Sequence, residues 1–378
     1  MTDASVTFYP VGNGDTTLTR LTDGWTIMID CNIRASDSDE QHYDVYEHLL
    51  DHVSKDDDAR PYINVFVLTH PDQDHCRGFQ SVFYTGPPSE YSEEDEKNEL
   101  IVINELWTTP RPFSDLEDDL SEHAEVFKDE AERRMELHKS GDPTCNDPGN
   151  RLRIIGSTDS DDLQDLKDIV LYPGQEVNEI DGDTKDDFSF FIHAPFKADI
   201  DSDDGERNNT SIVLQARFAV DDVTDACLAI FGGDANYRVW ERIVEESDDD
   251  TLAWDLLLAP HHCSWTFFNE NDVSEPNEGS KKLLEKGREG ARIIASCKPI
   301  KDDDDNPPSD EARQEYVDVV GEEQFLVTSE TPSEDAPEPI VLVMTANGPR
   351  PKDSSSTEDA AAVVVPINVL RGSRPTYG

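Results

Sequence analysis

Short apolar runs recur along this chain, each closed by Gly, Pro, Asn or Asp. Residues 5–9, 16–20 and 25–29 read as three strands, joined at Val11-Gly12-Asn13-Gly14-Asp15 and at Asp23-Gly24. Residues 63–68 are apolar except at Asn64 and rich in β-branched side chains, the pattern of a buried strand. Similar runs predict strands over 100–107, 152–155, 168–172, 188–192, 212–218, 225–231, 256–258, 291–295, 325–328 and 340–344. Helical spacing occupies 38–55, 114–140, 237–245, 279–290 and 309–320, with a further helix expected after Arg77-Gly78. Strands and helices in this proportion predict an α+β protein.

The pattern predicts one domain over 1–349 with a helical and loop insertion at about 108–150. That insertion is expected to cover a site or meet a protein partner. Residues 350–378 read as a flexible tail, polar at first and apolar over 363–370, where it can dock on the domain or on a partner.

Charge changes the picture. The 378 residues include 84 acidic and 32 basic ones, a formal net charge of −52. The acids are spread along the chain, as at Asp56-Asp57-Asp58 and Asp302 to Asp305. A folded protein with a carboxylate-covered surface is expected, as in the cytoplasm of a salt-accumulating, halophilic cell; its self-repulsion is screened within about 3 Å at 1 M salt. No basic patch is visible, which argues against tight nonspecific duplex binding. No apolar run reaches the roughly 18 residues of a membrane helix. The N-terminus shows no basic-then-apolar leader, so a cytoplasmic location is expected. Six cysteines occur without a CxxC pair and read as reduced thiols. Cys31, Cys76 and Cys263 read as small residues filling space near the motifs below.

The candidate chemistry collects at strand ends. The strand at 63–68 runs into Thr69-His70-Pro71-Asp72-Gln73-Asp74-His75, where four ligand-type side chains fall within six residues. His193, Asp234 and His261-His262 follow other strands. A pair of divalent cations needs such a mixture of imidazole and carboxylate, with one carboxylate as a bridge. Asp15 and Asp30 read either as turn formers or as supports behind metal-binding histidines. His123 and His138 read as ordinary residues of the 114–140 helix.

Several stretches together resemble the metallo-β-lactamase fold superfamily, and most closely the hydrolase domain of ComEC-type competence proteins. They are Val11-Gly12-Asn13-Gly14-Asp15, Ile29-Asp30, Thr69 to His75, Asn208-Asn209-Thr210-Ser211, Gly233-Asp234-Ala235 and Pro260-His261-His262. The resemblance implies a four-layer αββα sandwich with two divalent metal ions at its edge, Zn²⁺ or Mn²⁺, or Mg²⁺. It implies His70 and Asp72 as ligands of one metal and Asp74 and His75 as ligands of the other. Asp234 resembles the bridge, and His261 or His262 completes the second site. His193 is implied as a further ligand. Asn209 and Ser211 are implied to orient substrate or close the pocket. The chain departs from the pattern at Cys263, where the family has Gly, and at Asn306-Pro307-Pro308-Ser309, which lacks a His. The family's membrane channel is absent.

The implied activity is metal-assisted hydrolysis in which Asp74 orients a water or accepts its proton. The expected substrate is a phosphodiester, in a nucleic acid or a small nucleotide. Hydrolysis of an ester, lactone or thioester, or a non-catalytic partner-binding role, are the alternatives.

Overall fold

The computed structural model describes residues 3–34, 43–113, 120–156, 161–200, 207–270 and 275–352. Its first strands are β1 (Ser5–Phe8), β2 (Thr17–Arg20), β3 (Thr26–Ile29), β4 (Pro61–Val67), β5 (Ile101–Thr108), β6 (Arg151–Ile155) and β7 (Val170–Leu171). Then come β8 (Glu176–Val177), β9 (Phe188–Ala194), β10 (Val213–Val220), β11 (Val223–Phe231), β12 (Trp254–Leu258), β13 (Gly287–Ala295) and β14 (Phe325–Val327). The described chain closes with β15 (Ile340–Thr345) and β16 (Gly348–Pro351). One sheet has the order β16-β15-β1-β2-β3-β4-β5-β6-β7, and the other runs β8 to β14 in sequence order. In each sheet an antiparallel half meets a parallel half, at β3–β4 in the first and at β11–β12 in the second.

The alternation of side chains explains the layers. Val65 and Val67 face the second sheet and pack with Phe190, Ile192, Leu214, Phe231 and Leu256. Phe66, between them, faces outward onto Phe79, Phe83 and Phe127. A strand buried on both faces carries apolar side chains on both, and the polar exception here, Asn64, accepts from the Thr26 N–H and donates to the Asp181 carboxylate. The second sheet repeats the arrangement, with Ile230, Leu257 and Ile293 turned out beneath Val239, Trp240, Leu283 and Tyr316. Helices therefore cover both outer faces, and the molecule is the expected αββα sandwich.

The outer helices are α1 (Val45–His52), α2 (Gln73–Cys76), α3 (Glu122–Ser140), α4 (Tyr237–Glu246), α5 (Glu278–Leu284) and α6 (Asp310–Val320). The helical segment expected within 108–150 is α3. It is the crossover from β5 to parallel β6 and is laid into the helix layer by Ala124, Phe127, Ala131 and Met135. Its buried Arg134 bonds the Ile103 and Arg151 carbonyls and the Glu130 carboxylate.

Two expectations need correction. The helix expected over 279–290 stops at Leu284, and β13 begins at Gly287. A Cβ on Gly287 would lie 2.8 Å from the Trp254 ring, and Gly290 has φ +80°, so this stretch suits a strand start packed under an indole. The sheet also continues past 349, because Arg350 and Pro351 pair with Val343 and Leu342. The remainder of the expected tail, 353–378, lies outside the described residues, as do 38–42 and 114–119 of the two expected helices. Among the described residues no helix is long and apolar enough to cross a membrane.

Candidate metal centre

The C-terminal ends of β3 and β4 build the first half of the site. Asp30, at φ 57°, follows β3 and is fully buried. Its Oδ1 accepts from the Thr69 N–H at 2.7 Å, and its Oδ2 accepts from the Thr69 hydroxyl at 2.6 Å. The same Oδ2 lies 2.7 Å from Nδ1 of His75. One carboxylate thus ties the end of β4 to α2. With Nδ1 donating to Asp30, the neutral ring presents Nε2 as its acceptor. The 12–15 loop closes over this turn. Asp15 N–H donates to the Asp74 carbonyl at 3.2 Å, and a Cβ on Gly14 would fall 2.6 Å from that carbonyl oxygen.

The second sheet supplies the other half. A Cβ on Gly233, at φ 48°, would lie 2.8 Å from Thr69 Oγ1, so Asp234 enters the site along a backbone that only glycine permits. Ile212 N–H donates to the Thr69 carbonyl at 3.0 Å, joining the two sheets at the same residue. After β12, His261, His262 and Cys263 have φ 51°, 52° and 65°. Three consecutive left-handed residues cost on the order of 1–3 kcal/mol each. They are held by His261 N–H to the Gly233 carbonyl, by His261 Nδ1 on Thr266 Oγ1 at 2.8 Å, and by Ser309 N–H to the Cys263 carbonyl. Cys263 therefore stands, buried, where the resemblance leads one to expect Gly. Asn306 accepts from Ser264 Oγ and the Trp265 N–H, and the Pro307 carbonyl accepts from Asn13, so the stretch lacking the expected His braces both loops.

Asp234 stands between two groups of imidazoles. Its Oδ1 is 3.1 Å from His75 Nε2 and 3.5 Å from His262 Nε2, and these two nitrogens are 3.2 Å apart. Asp74 Oδ2 lies 3.4 Å from the same His262 Nε2. The other oxygen, Oδ2, is 3.4 Å from His70 Nε2 and 3.5 Å from His261 Nε2, with Asp72 Oδ2 3.8 Å from His70. Ligand bonds of about 2.0–2.1 Å in a tetrahedron give donor–donor separations of roughly 3.3–3.4 Å. These separations match that spacing. His70 Nε2 and Asp234 Oδ1 are buried without a hydrogen-bond partner. Converging buried donors left unsatisfied by protein are what a bound cation would satisfy. The donor set fits divalent metal.

Charge coupling follows from the packing. Burial opposes ionisation of Asp234, but His75, His262, His261 and His70 outweigh it and hold the carboxyl well below its ordinary range. Burial likewise opposes protonation of His75 and His262. Asp234 and Asp30 overcome it at His75, raising that pKa well above normal, and Asp234, Asp15 and Asp74 raise His262 to about 10. His261 is lowered, chiefly by burial.

His70, Asp72, Asp74, His75, Asp234, His261 and His262 therefore come together. His262 faces the His75 side and His261 the His70 side, so adjacent residues serve opposite ends of one carboxylate. Asp30 stands behind His75, and Asp15 behind His262 with Oδ1 3.3 Å from Nδ1. Asp15 also joins His75, Asp234 and His262 in a set of atoms all within 4.8 Å of one another. Asn209 and Ser211 flank the site. Asn209 Oδ1 accepts from Asn236 at 2.5 Å, and Ser211 Oγ is buried without a partner.

His193 is the exception. It sits at the bulge where β9 pairs with β10, beside Phe191, with Nδ1 3.5 Å from Ser247 Oγ at the end of α4. It lines a separate open cleft of about 630 Å³ with Phe196 and Arg242. The bulge turns its ring toward the outer helix layer, and burial lowers its pKa to about 3. Two participants were not foreseen. Thr69 organises the turn, and Arg207 holds Asp72 Oδ1 at 3.0 Å. Arg207 stands two residues before Asn209, which is the only local signal for it. Cys31 and Cys76 are buried thiols of raised pKa, Cys76 at about 12, and they pack behind the site.

No family model matches the chain, and no curated protein matches it. Among the solved structures similar in shape are a metallo hydrolase and a protein named PDE1. One is Igni18, described as a novel metallo hydrolase from the hyperthermophilic archaeon Ignicoccus hospitalis KIN4/I. It is 11% identical with a TM-score of 0.42, over 89% of this chain and 98% of that one. The other is unliganded yeast PDE1, 12% identical with a TM-score of 0.40, over 86% of this chain and 98% of that one.

Proposed function

We propose that the chain is a metal-dependent hydrolase of phosphodiesters, acting on a nucleic acid or small nucleotide. The observation that carries this reading is Asp234, whose two oxygens each face a separate pair of imidazole nitrogens. His70, Asp72 and His261 would hold one cation, and His75, Asp74 and His262 the other, with Asp234 shared. Such a cation pair supplies a water of near-neutral pKa and offsets charge developing on the substrate's oxygen. Asp30 and Asp15 keep the His75 and His262 rings turned toward the centre. Asp74, about one-third exposed, stands at the solvent side, where its Oδ2 can orient a water and take its proton. Asp72 adds carboxylate to the set, which suits Mn²⁺ or Mg²⁺ as well as Zn²⁺. The acidic composition supports a halophilic, cytoplasmic setting.

The test uses protein stripped by chelator and reloaded with Mn²⁺ or Zn²⁺ in molar KCl. Its metal content is measured by mass spectrometry and its turnover on chromogenic phosphodiesters and carboxylic esters. Turnover of the phosphodiester, lost in His70→Ala, supports the proposal. Turnover of carboxylic esters alone sinks it in favour of an ester, lactone or thioester hydrolase. Metal binding with no hydrolysis favours a partner-binding role.

A further inference from the structure

The four imidazoles of the centre are backed in two different ways. Behind His75, Nδ1 meets the Asp30 carboxylate at 2.7 Å, and behind His262, Nδ1 lies 3.3 Å from Asp15 Oδ1. Behind His70 and His261 stand hydroxyls. Thr69 Oγ1 lies 3.1 Å from His70 Nδ1, and Thr266 Oγ1 lies 2.8 Å from His261 Nδ1. The proton of each hydroxyl is committed elsewhere, to Asp30 Oδ2 at 2.6 Å and to Ser264 Oγ at 3.0 Å. Each oxygen is thus left to accept from its imidazole, and all four rings turn Nε2 toward Asp234. Two rings have a full negative charge at their backs, and two have a neutral oxygen.

The outer carboxylates differ as well. Asp74 Oδ2 lies 3.4 Å from His262 Nε2. Asp72 Oδ2 lies 3.8 Å from His70 Nε2, and its Oδ1 accepts from Arg207 Nη1 at 3.0 Å. Arg207 is braced in turn, because its carbonyl accepts from the Thr210 hydroxyl at 2.8 Å in the turn that leads into β10. The guanidinium takes one oxygen of Asp72 and offsets its charge. The His75 side therefore gathers Asp15, Asp30 and Asp74 about its rings, whereas the His70 side has Asp72, already paired. Asp15, His75, Asp234 and His262, whose donor atoms close within 4.8 Å of one another, belong to the His75 side. A carboxylate behind an imidazole strengthens it as a ligand, and losing such a partner typically costs about 10- to 100-fold in affinity. The same carboxylates favour a proton on His75 and His262, but they act on twice the charge in a divalent ion.

We propose that the two cation positions are unequal. The position at His75, Asp74 and His262 fills first and holds its ion, and the position at His70, Asp72 and His261 is weak and exchangeable, with Arg207 keeping it so. This rests on the reading of the centre as the two-cation site of a hydrolase. It makes hydrolysis depend on the free divalent-ion concentration, because between the two affinities the chain carries a single ion.

The test titrates Zn²⁺ into chelator-stripped protein in molar KCl at about pH 8, against a chromogenic chelator. Two steps at least about tenfold apart are expected in the wild type. His261→Asn should remove the weaker step and His262→Asn the tighter one. Asn tolerates the left-handed backbone found at both positions. Arg207→Gln should tighten the weaker step alone, by about fivefold, the upper end for a partly exposed charge contact, and Arg207→Lys should leave it as in the wild type. Native circular dichroism is checked for every variant. Two equal steps, no second step, loss of the tighter step in His261→Asn, or a weaker step that Arg207→Gln does not tighten overturns the proposal. No substrate is cleaved in this titration. A protein that loads in the stated order yet hydrolyses no phosphodiester would sink only the proposed function.

Discussion

Nδ1 of His75 lies 2.7 Å from Oδ2 of Asp30, across 45 positions of sequence and within a fully buried environment. That carboxylate also binds both the N–H and the hydroxyl of Thr69. The ring is therefore fixed from behind while its Nε2 faces Asp234. Asp30→Asn should lower metal affinity about 10- to 100-fold. Competition against a chromogenic chelator measures this, and affinity equal to wild type would remove Asp30 from the support of the centre.

Asp234→Asn should have the largest effect of any single change at the centre. It removes the carboxylate shared by the two imidazole groups. Bound metal should fall below two ions per chain, and turnover should drop by at least about 10²-fold, the scale of losing one electrostatic contact in a site of this kind. Elemental analysis and rate measurement on the same sample check both. Two ions retained in Asp234→Asn would show that each group holds its cation unaided.

Metal loading should release protons at neutral pH. His262 at about 10, and His75 raised well above its ordinary value, both carry protons in the metal-free chain at pH 7. A metal ligand must be the neutral ring, so affinity should rise with pH. Calorimetry in buffers of different ionisation enthalpy counts the protons, and a value near zero contradicts the pairing with Asp234. The stability of the metal-free protein has the opposite trend. The raised imidazole pKa values stabilise the fold fully below the unfolded pKa of about 6.5, and this contribution fades as pH climbs through about 10.

His193→Asn should leave metal content at the wild-type level, whereas His262→Asn should reduce it. His193 is buried under α4 and its cost is one of packing, on the order of 1–3 kcal/mol. Thermal melts and metal analysis separate the two effects. Loss of metal in His193→Asn would return it to the ligand set.

Stability should depend steeply on salt. With a net charge of −52, screening that shortens from about 10 Å at 0.1 M to about 3 Å at 1 M removes most surface repulsion. The melting midpoint should rise by roughly 10 °C or more between 0.1 and 2 M KCl. A flat or falling midpoint would count against a halophilic origin.

The strands were legible in the sequence because their pattern is local. Residues 63–68 are apolar but for Asn64, and the strand at 61–67 is covered on both faces. The same locality explains the error at 279–290. Apolar spacing alone does not register that Trp254, from another strand, leaves no room for a Cβ on Gly287. Seven ligand-type positions near strand ends were likewise visible as a group, since the C-terminal ends of parallel strands share one edge of a sheet.

Periodicity along contiguous residues, then, is enough to mark the strands, the His70–His75 turn and the acidic surface, since each is set by neighbours in the chain. Which imidazole meets which oxygen of Asp234 is not set there. It depends on three left-handed residues at 261–263, braced by Gly233, Thr266 and Ser309, and on a bulge that turns His193 away. Those positions meet only after both sheets have packed, so distances between side chains far apart in sequence are fixed by the closed core.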